Sequence, residues 1–218
     1  MRLRCKLFNV QQGVPFSQVS LGPMSKSTPP LPGLRVLVIG TSGSGKSTFA
    51  EKLAREARIA HLELDLINWR PGWYNRSAEE PEAFIEDVDQ ATSQRDWVLA
   101  GNYSVTRPVV LPRVTHLVWM DLPLWLVMAQ VIPRSIRRAA SKDTDVFEGC
   151  REDWPRLIRA DHPIRWALST HYSRRHKYVA AAEKITEQGG QVLRCTTRYE
   201  IDQARQFLVT LARSRSAA

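Results

Sequence analysis

Apolar and polar positions along the chain follow two alternating rhythms. Short, nearly unbroken apolar runs occupy 34–39, 60–64, 97–100, 115–120 and 191–195. Runs of that length, bounded by Gly, Asn, Asp or Pro, predict strands buried on both faces. Between them, apolar residues recur every three or four positions. After the first run, Phe49 and Leu53 fall on one side and Glu51, Lys52, Arg55 and Glu56 on the other, predicting a helix to about Arg58. Ser77 with Glu80 forms a capping-box pattern, strengthened by Pro81, and predicts a helix to about Ser93. Pro123 opens a helix that turns basic at Arg134, Arg137 and Arg138. Residues 141–162 are charged and irregular, with a short helix expected over 154–160. A long helix follows from about Ile164 to Glu187, stopped by Gly189 and Gly190, and a last amphipathic helix covers 199–212. Strands alternating with helices predict an α/β fold: one parallel sheet with helices on both faces, and ligands beyond the carboxyl ends of its strands.

Length and composition bound the class. The 218 residues, 43% of them hydrophobic, suit one domain with a small insertion. A net charge of +9 suggests nucleic acid until it is mapped. Residues 1–33 hold four Lys/Arg and no acid, the tail adds Arg213 and Arg215, and 134–177 holds eleven Lys/Arg against six Asp/Glu. Only one segment of the expected body, 34–212, is therefore strongly basic. That suits gripping the phosphates of a nucleotide better than tracking a DNA backbone. Residues 1–33 carry Pro15, Pro23, Pro29, Pro30 and Pro32 without periodicity and read as a disordered extension, as do 213–218 at the other end. The first segment also has the Arg, Ser and lack of acids of an organellar transit peptide, while Met24 offers an alternative start. Cys5, Cys150 and Cys195 have no metal spacing and cannot all pair, which points to a reducing, cytoplasmic location. The histidines (His61, His116, His162, His171, His176) lack ligand spacing too. The longest apolar stretch, 117–132, is broken by Asp121, Pro123 and Gln130 and cannot span a bilayer.

Chemistry enters directly after the first strand, at Gly40, Thr41, Ser42, Gly43, Ser44, Gly45, Lys46, Ser47 and Thr48. The spacing is that of a phosphate-binding loop: Gly, four residues, then Gly-Lys-Ser/Thr. The glycines allow a tight turn whose N–H groups converge on one anion, and the helix opening at Lys46 aims its positive end at the same place. Lys46 reaches the β- and γ-phosphates of a nucleoside triphosphate, and the Ser47 hydroxyl ligates Mg²⁺. Asp65, the segment Gly101-Asn102-Tyr103 and Asp121 also fall at expected strand ends.

Taken with His61-Leu62-Glu63-Leu64-Asp65, Trp69-Arg70-Pro71-Gly72-Trp73, Trp97–Ala100 followed by Gly101-Asn102-Tyr103, and Asp121-Leu122-Pro123, the chain resembles the adenylate-kinase-like P-loop proteins of the DNA topology modulation type. Arg134–Arg138 and Glu148-Gly149-Cys150 continue the resemblance, which covers roughly 34–208. It implies a five-stranded sheet in the order 2-3-1-4-5, ATP with Mg²⁺ as cofactors, and a mobile lid, which the basic segment 134–177 would form. It also implies roles for particular side chains. Asp65 holds the metal or takes the acceptor's proton, unless it only caps the next segment. Arg107 meets an anionic group of the acceptor, and arginines of 134–138 or of Arg174, Arg175 and Lys177 close on the triphosphate. Trp69, Trp73, Asn102 and Tyr103 line an acceptor pocket. One position departs from the pattern: similar proteins usually place an Asp before Gly-Asn-Tyr to hold the metal's water shell, and here Ala100 stands there. Asp65 and Asp121 are the substitutes on offer. The expected activity is transfer of the γ-phosphate of ATP to a small molecule, a nucleotide or related metabolite, with Lys46, Asp65, Arg134 and Arg138 as catalytic groups. The alternative is an ATP-binding regulator in contact with DNA whose catalysis is vestigial. No membrane partner is expected, and no reader of base edges is apparent.

Overall fold

The computed structural model describes residues 33–141 and 145–216. The proposed extension up to residue 32 and the last two residues therefore lie outside the described residues. Five parallel strands form the central sheet: β1 (Arg35–Gly40), β2 (Ala60–Glu63), β3 (Trp97–Ala100), β4 (His116–Met120) and β5 (Gln191–Cys195), in the order β2-β3-β1-β4-β5. That is the arrangement the resemblance implies. The main helices are α1 (Lys46–Ala57), α2 (Pro81–Ala91), α3 (Leu124–Ala140), α4 (Pro163–Glu187) and α5 (Arg198–Ser216).

Successive strand residues serve opposite faces, so each strand feeds two cores. On one face Val36, Val38, Val98, Ala100, Val118 and Met120 pack with Phe49 and Leu53 of α1 and Leu208 of α5. On the other, Leu37, Ile39, Trp97, Leu99 and Leu117 pack with Phe84 and Val88 of α2 and with Tyr178 and Ile185 of α4. Trp97 is fully buried and its Nε1 donates to the Thr92 carbonyl at 3.0 Å. Trp97→Ala leaves both a cavity and an unpaired carbonyl, and it is expected to cost roughly 3–5 kcal/mol. Urea denaturation checks this.

Three boundaries depart from the sequence expectation. Strand β2 stops at Glu63, and Asp65 lies in the first turn of a short helix, Leu64–Asn68, instead of ending the strand. The Ser77–Glu80 capping box does not form. Ser77 sits inside a one-turn helix, Arg76–Glu79, where its Oγ donates to Asn75 Oδ1 (2.8 Å) and its N–H to Asn68 Oδ1 (2.7 Å). Pro81 lacks the N–H needed to continue that turn, so α2 begins afresh at Pro81 with no side-chain cap. Finally, α5 continues past Ala212 to Ser216, correcting the disordered tail expected from 213. Arg213 and Arg215 favour a helical last turn, where cations meet the negative end of the dipole. A reciprocal box starts this helix: Thr197 Oγ1 accepts from the Glu200 N–H, and Glu200 Oε2 accepts from the N–H groups of Thr196 and Thr197.

Among the described residues, no helix is long and apolar enough to cross a membrane.

Candidate active site

The glycine-rich loop leaves the end of β1 and enters α1. Gly45, the residue before the helix, has φ +94°, and Gly43 has φ +86° with Val131 so close that a Cβ would lie 2.9 Å from its Cβ. Neither position accepts a side chain without strain. Lys46 Nζ donates to the Thr41 carbonyl at 3.0 Å. Burial lowers the Lys46 pKa from 10.5 to about 8, opposed by the carboxylates of Asp65 and Glu63 and reinforced by Arg134 and Arg174. A half-buried ammonium in that setting gains most from a polyanion. The hydroxyls differ in exposure. Ser44 is buried, its Oγ 3.9 Å from Met120 Sδ, whereas Ser47 and Thr48 face outward.

Two residues of α4 fix the loop from the side, and the sequence did not disclose them. Tyr178 donates its hydroxyl proton to the Gly40 carbonyl (3.1 Å), and His171 Nδ1 lies 3.0 Å from Thr41 Oγ1. They are seven positions apart, two turns of one helix, and so share a face.

Two carboxylates stand beside the loop. Ser47 Oγ donates to Glu63 Oε1 at 2.5 Å, and the other Glu63 oxygen lies 3.7 Å from His61 Nε2. Burial raises the Glu63 pKa, and Asp65 adds to this, while Ser47 and Lys46 oppose it. Asp65 Oδ1 accepts from the Tyr103 hydroxyl at 2.6 Å. Burial and the neighbouring Asp65 both push the Tyr103 phenol well above its ordinary pKa, so it stays a donor. On the same turn, Asn102 Oδ1 accepts from Arg107 Nε at 3.0 Å, which aims that half-buried guanidinium. Burial lowers the Arg107 pKa.

These groups suit Mg²⁺. The ion takes hard oxygen ligands, and it is usually held by one or two carboxylates together with substrate phosphates. The Ser47 hydroxyl and the Glu63 carboxylate are such donors, already adjacent. Among the described residues, no three His, Cys, Asp or Glu side chains cluster to hold a metal unaided.

The arginines separate into those whose charge is felt at Lys46, namely Arg134 and Arg174, and those committed elsewhere. Arg134 on α3 is half-buried, and its Nε has no hydrogen-bond partner among the described residues. Burial lowers its pKa, with Arg138 adding to the effect and Glu152 and Asp65 opposing it. Arg138 instead faces Glu152 (3.6 Å), a buried carboxylate that also bonds His162 at 2.7 Å. Arg137 is exposed. Arg174 lies over the Trp166 ring (4.7 Å), and its charge is felt at Lys46, Tyr103 and Arg107. Arg175 turns away to Asp121 at 3.0 Å, where Arg194 also bonds. Asp121 thus joins β4, β5 and α4 through ion pairs to Arg175 and Arg194.

Trp73, expected to line an acceptor pocket, is held by contacts within the chain. Its Nε1 donates to the Arg151 carbonyl (2.9 Å), the Arg156 guanidinium lies 3.5 Å over its ring, and Phe147 meets its edge. Together with Gly72 N–H to Gly149 O (2.9 Å) and Cys150 Sγ to Arg70 O (3.0 Å), these contacts clasp the turn after β2 to the hairpin around 145–151. Trp69 meets Trp73 edge-on and is the member of the pair that approaches the Tyr103 hydroxyl.

No family model matches the chain, and no curated protein matches it. Solved structures do. The shikimate kinase from Acinetobacter baumannii in complex with shikimate superposes with a TM-score of 0.50 at 16% identity, over 85% of this chain and 95% of that one. The shikimate kinase from Bacteroides thetaiotaomicron has a TM-score of 0.47 at 16% identity, over 82% of this chain and 97% of that one. A gluconokinase from Sinorhizobium meliloti 1021 has a TM-score of 0.47 at 15% identity, over 84% and 95%. At these identities the likeness is one of fold: a parallel sheet of the P-loop kinase kind.

Proposed function

We propose that the chain is an ATP-dependent phosphotransferase acting on a small molecule that bears a hydroxyl or phosphate and an anionic group, such as a nucleotide or a related metabolite. One observation carries the reading. The charge of Asp65, which holds the Tyr103 hydroxyl at 2.6 Å, is felt at both Lys46 of the loop and Arg134, and the charges of Arg134 and Arg174 are felt at Lys46. A loop of phosphate-binding pattern with a hydrogen-bonded carboxylate and cations beside it supports this reading. The resemblance of the Trp69–Trp73 and Gly101–Tyr103 segments to the topology modulation type agrees with it.

In the reaction, the N–H groups of 42–48 and the Lys46 ammonium hold the β- and γ-phosphates. Mg²⁺, when bound through Ser47 and a neighbouring carboxylate, supplies further charge neutralisation. Asp65, oriented by Tyr103, takes the proton of the acceptor hydroxyl as that oxygen forms its bond to the γ-phosphorus. The bond from phosphorus to the leaving oxygen of ADP breaks as the new one forms. Arg134 and Arg174 neutralise charge on the transferring group, and Arg107 pairs with the acceptor's anion. A panel of acceptors with ATP and Mg²⁺, scored for phosphorylated product, tests this. Anionic hydroxyl compounds are expected to react, and a panel in which only uncharged compounds react overturns the assignment of Arg107.

The basic segment 134–177 is the lid in this reading. The clasp to Trp73 makes it close together with the turn after β2. Bound ATP is therefore expected to raise hydrogen-exchange protection in 69–75 and 145–151 in parallel. Gly149→Val, at φ +65° with Pro71 2.7 Å from its would-be Cβ, is expected to abolish that parallel response and raise the acceptor's KM. Protection of one segment without the other in the wild type contradicts the coupling.

A further inference from the structure

Helix α4 grips the phosphate loop at one peptide unit, Gly40–Thr41, and two cations beside the loop, Lys46 and Arg174, are tied to that unit. From the loop side, the Thr41 carbonyl accepts from Lys46 Nζ (3.0 Å) and from the Ser44 N–H (3.1 Å). From α4, the Tyr178 hydroxyl donates to the Gly40 carbonyl (3.1 Å) and stands within hydrogen-bonding reach of the Arg174 side chain. A guanidinium has donors only, so in that contact the Tyr178 oxygen accepts. His171 Nδ1 holds the Thr41 hydroxyl at 3.0 Å. His171, Arg174 and Tyr178 stand at i, i+3 and i+7, on one face of the helix. Thr41 and Tyr178 are buried, and the Trp119 ring meets the Tyr178 ring edge-on at 6.1 Å, which leaves the phenol little room to turn.

The peptide needs such a grip. Gly40 has φ +154° and no side chain, so nothing intrinsic to the residue fixes its backbone. A hydrogen bond on each side of the unit supplies what the glycine lacks. Rotation there would carry the Thr41 carbonyl, and with it the Lys46 ammonium, out of register with Arg174.

We infer that Tyr178 and His171 are positioning residues: they lock the Gly40–Thr41 peptide, so that Lys46 and Arg174 meet the transferring phosphate in a fixed register. The inference rests on the phosphotransferase reading, in which these two cations neutralise the phosphates. Neither positioning residue acts by touching the nucleotide. Their loss therefore falls on the rate more than on affinity. A lysine stem can bend to follow a ground-state phosphate, whereas the transition state demands both cations in place at once.

The test is single-turnover cleavage of ATP by an excess of the full chain with Mg²⁺, alone and with the acceptor panel. Calorimetric binding of a non-hydrolysable ATP analogue is measured beside it. Tyr178→Phe keeps the packed ring and loses the hydroxyl. It is expected to lower the rate roughly ten- to a hundredfold, the scale for small misplacements of reacting groups, with a much smaller change in analogue affinity. In an Arg174→Ala background the same change is expected to lower the rate by less, because the guanidinium it holds is gone. His171→Leu is expected to slow the reaction. His171→Asn, whose amide places a hydrogen-bonding atom where Nδ1 stood, is expected to recover most of the rate. Should a His171 variant fail to fold, Thr41→Val removes the other end of the same bond and is expected to slow the reaction as His171→Leu does. Three results overturn the inference and leave the kinase reading standing: a wild-type rate in Tyr178→Phe, equal rates for His171→Leu and His171→Asn, or a Tyr178→Phe loss undiminished without Arg174. Wild-type protein that leaves ATP intact under every condition overturns both.

Discussion

Lys46→Ala is expected to abolish phosphoryl transfer while leaving the protein folded and no less stable. The loss of activity follows from removing the one ammonium the loop aims at the β/γ-phosphates. The stability result follows from burial. The folded-state pKa of about 8 lies below the ordinary 10.5. Between those values the unfolded chain binds the extra proton, so the stability of ligand-free protein climbs as pH rises from about 8 towards 10.5. Below that window the charged lysine weighs fully against the fold. Alanine removes that cost and is a good helix former at the first position of α1. Thermal melts at pH 7 and pH 10 check both statements. The variant's Tm is expected to match or exceed the wild type's at pH 7, and to lack this lysine's contribution to the rise at pH 10. Undiminished turnover in the folded variant would remove the loop from the mechanism.

Arg134→Ala is expected to lower the single-turnover rate by roughly 10³–10⁵-fold, the range for arginines aimed at a transferring phosphate. Its Nε lies buried and unpartnered, a costly arrangement that a bound anion relieves. Arg137→Ala, three residues further on α3 and exposed, is expected to leave the rate unchanged. Arg138→Ala acts through Glu152 and is expected to fall between them. Rapid-quench measurement of product separates chemistry from release. Equal losses at Arg134 and Arg137 would mean that general positive charge, rather than one placed guanidinium, matters.

The sequence disclosed what is encoded locally. The phosphate loop depends on glycines and a lysine within nine consecutive residues, and the strands on unbroken apolar runs, so both were legible, and the order of the sheet came from the resemblance. The contact of Glu63 with Ser47 was overlooked because it depends on where β2 ends beside the loop, and strand-end carboxylates were sought at Asp65 and Asp121. Asp121 looked functional by position, yet its partners Arg175 and Arg194 come from elements far along the chain. His171 and Tyr178 lie on one face of a long helix, and nothing local says that this face lies on the loop. Trp73 read as a pocket wall, and its hydrogen bond to the hairpin at 145–151 was not legible because that partner, Arg151, lies 78 residues along the chain. Ser77 satisfied a capping pattern that Pro81 prevents, while the box at Thr197 and Glu200 went unremarked beside a strand end.

The most direct test of the central claim follows the γ-phosphate itself. ATP labelled at that position is incubated with the full chain, Mg²⁺ and pooled small anionic metabolites, and the label is traced by chromatography. The phosphotransferase account predicts label on an organic product, formed by the wild type and not by Lys46→Ala. Label recovered only as inorganic phosphate, at the same rate with and without metabolites, would contradict it and favour a nucleotide-driven regulator.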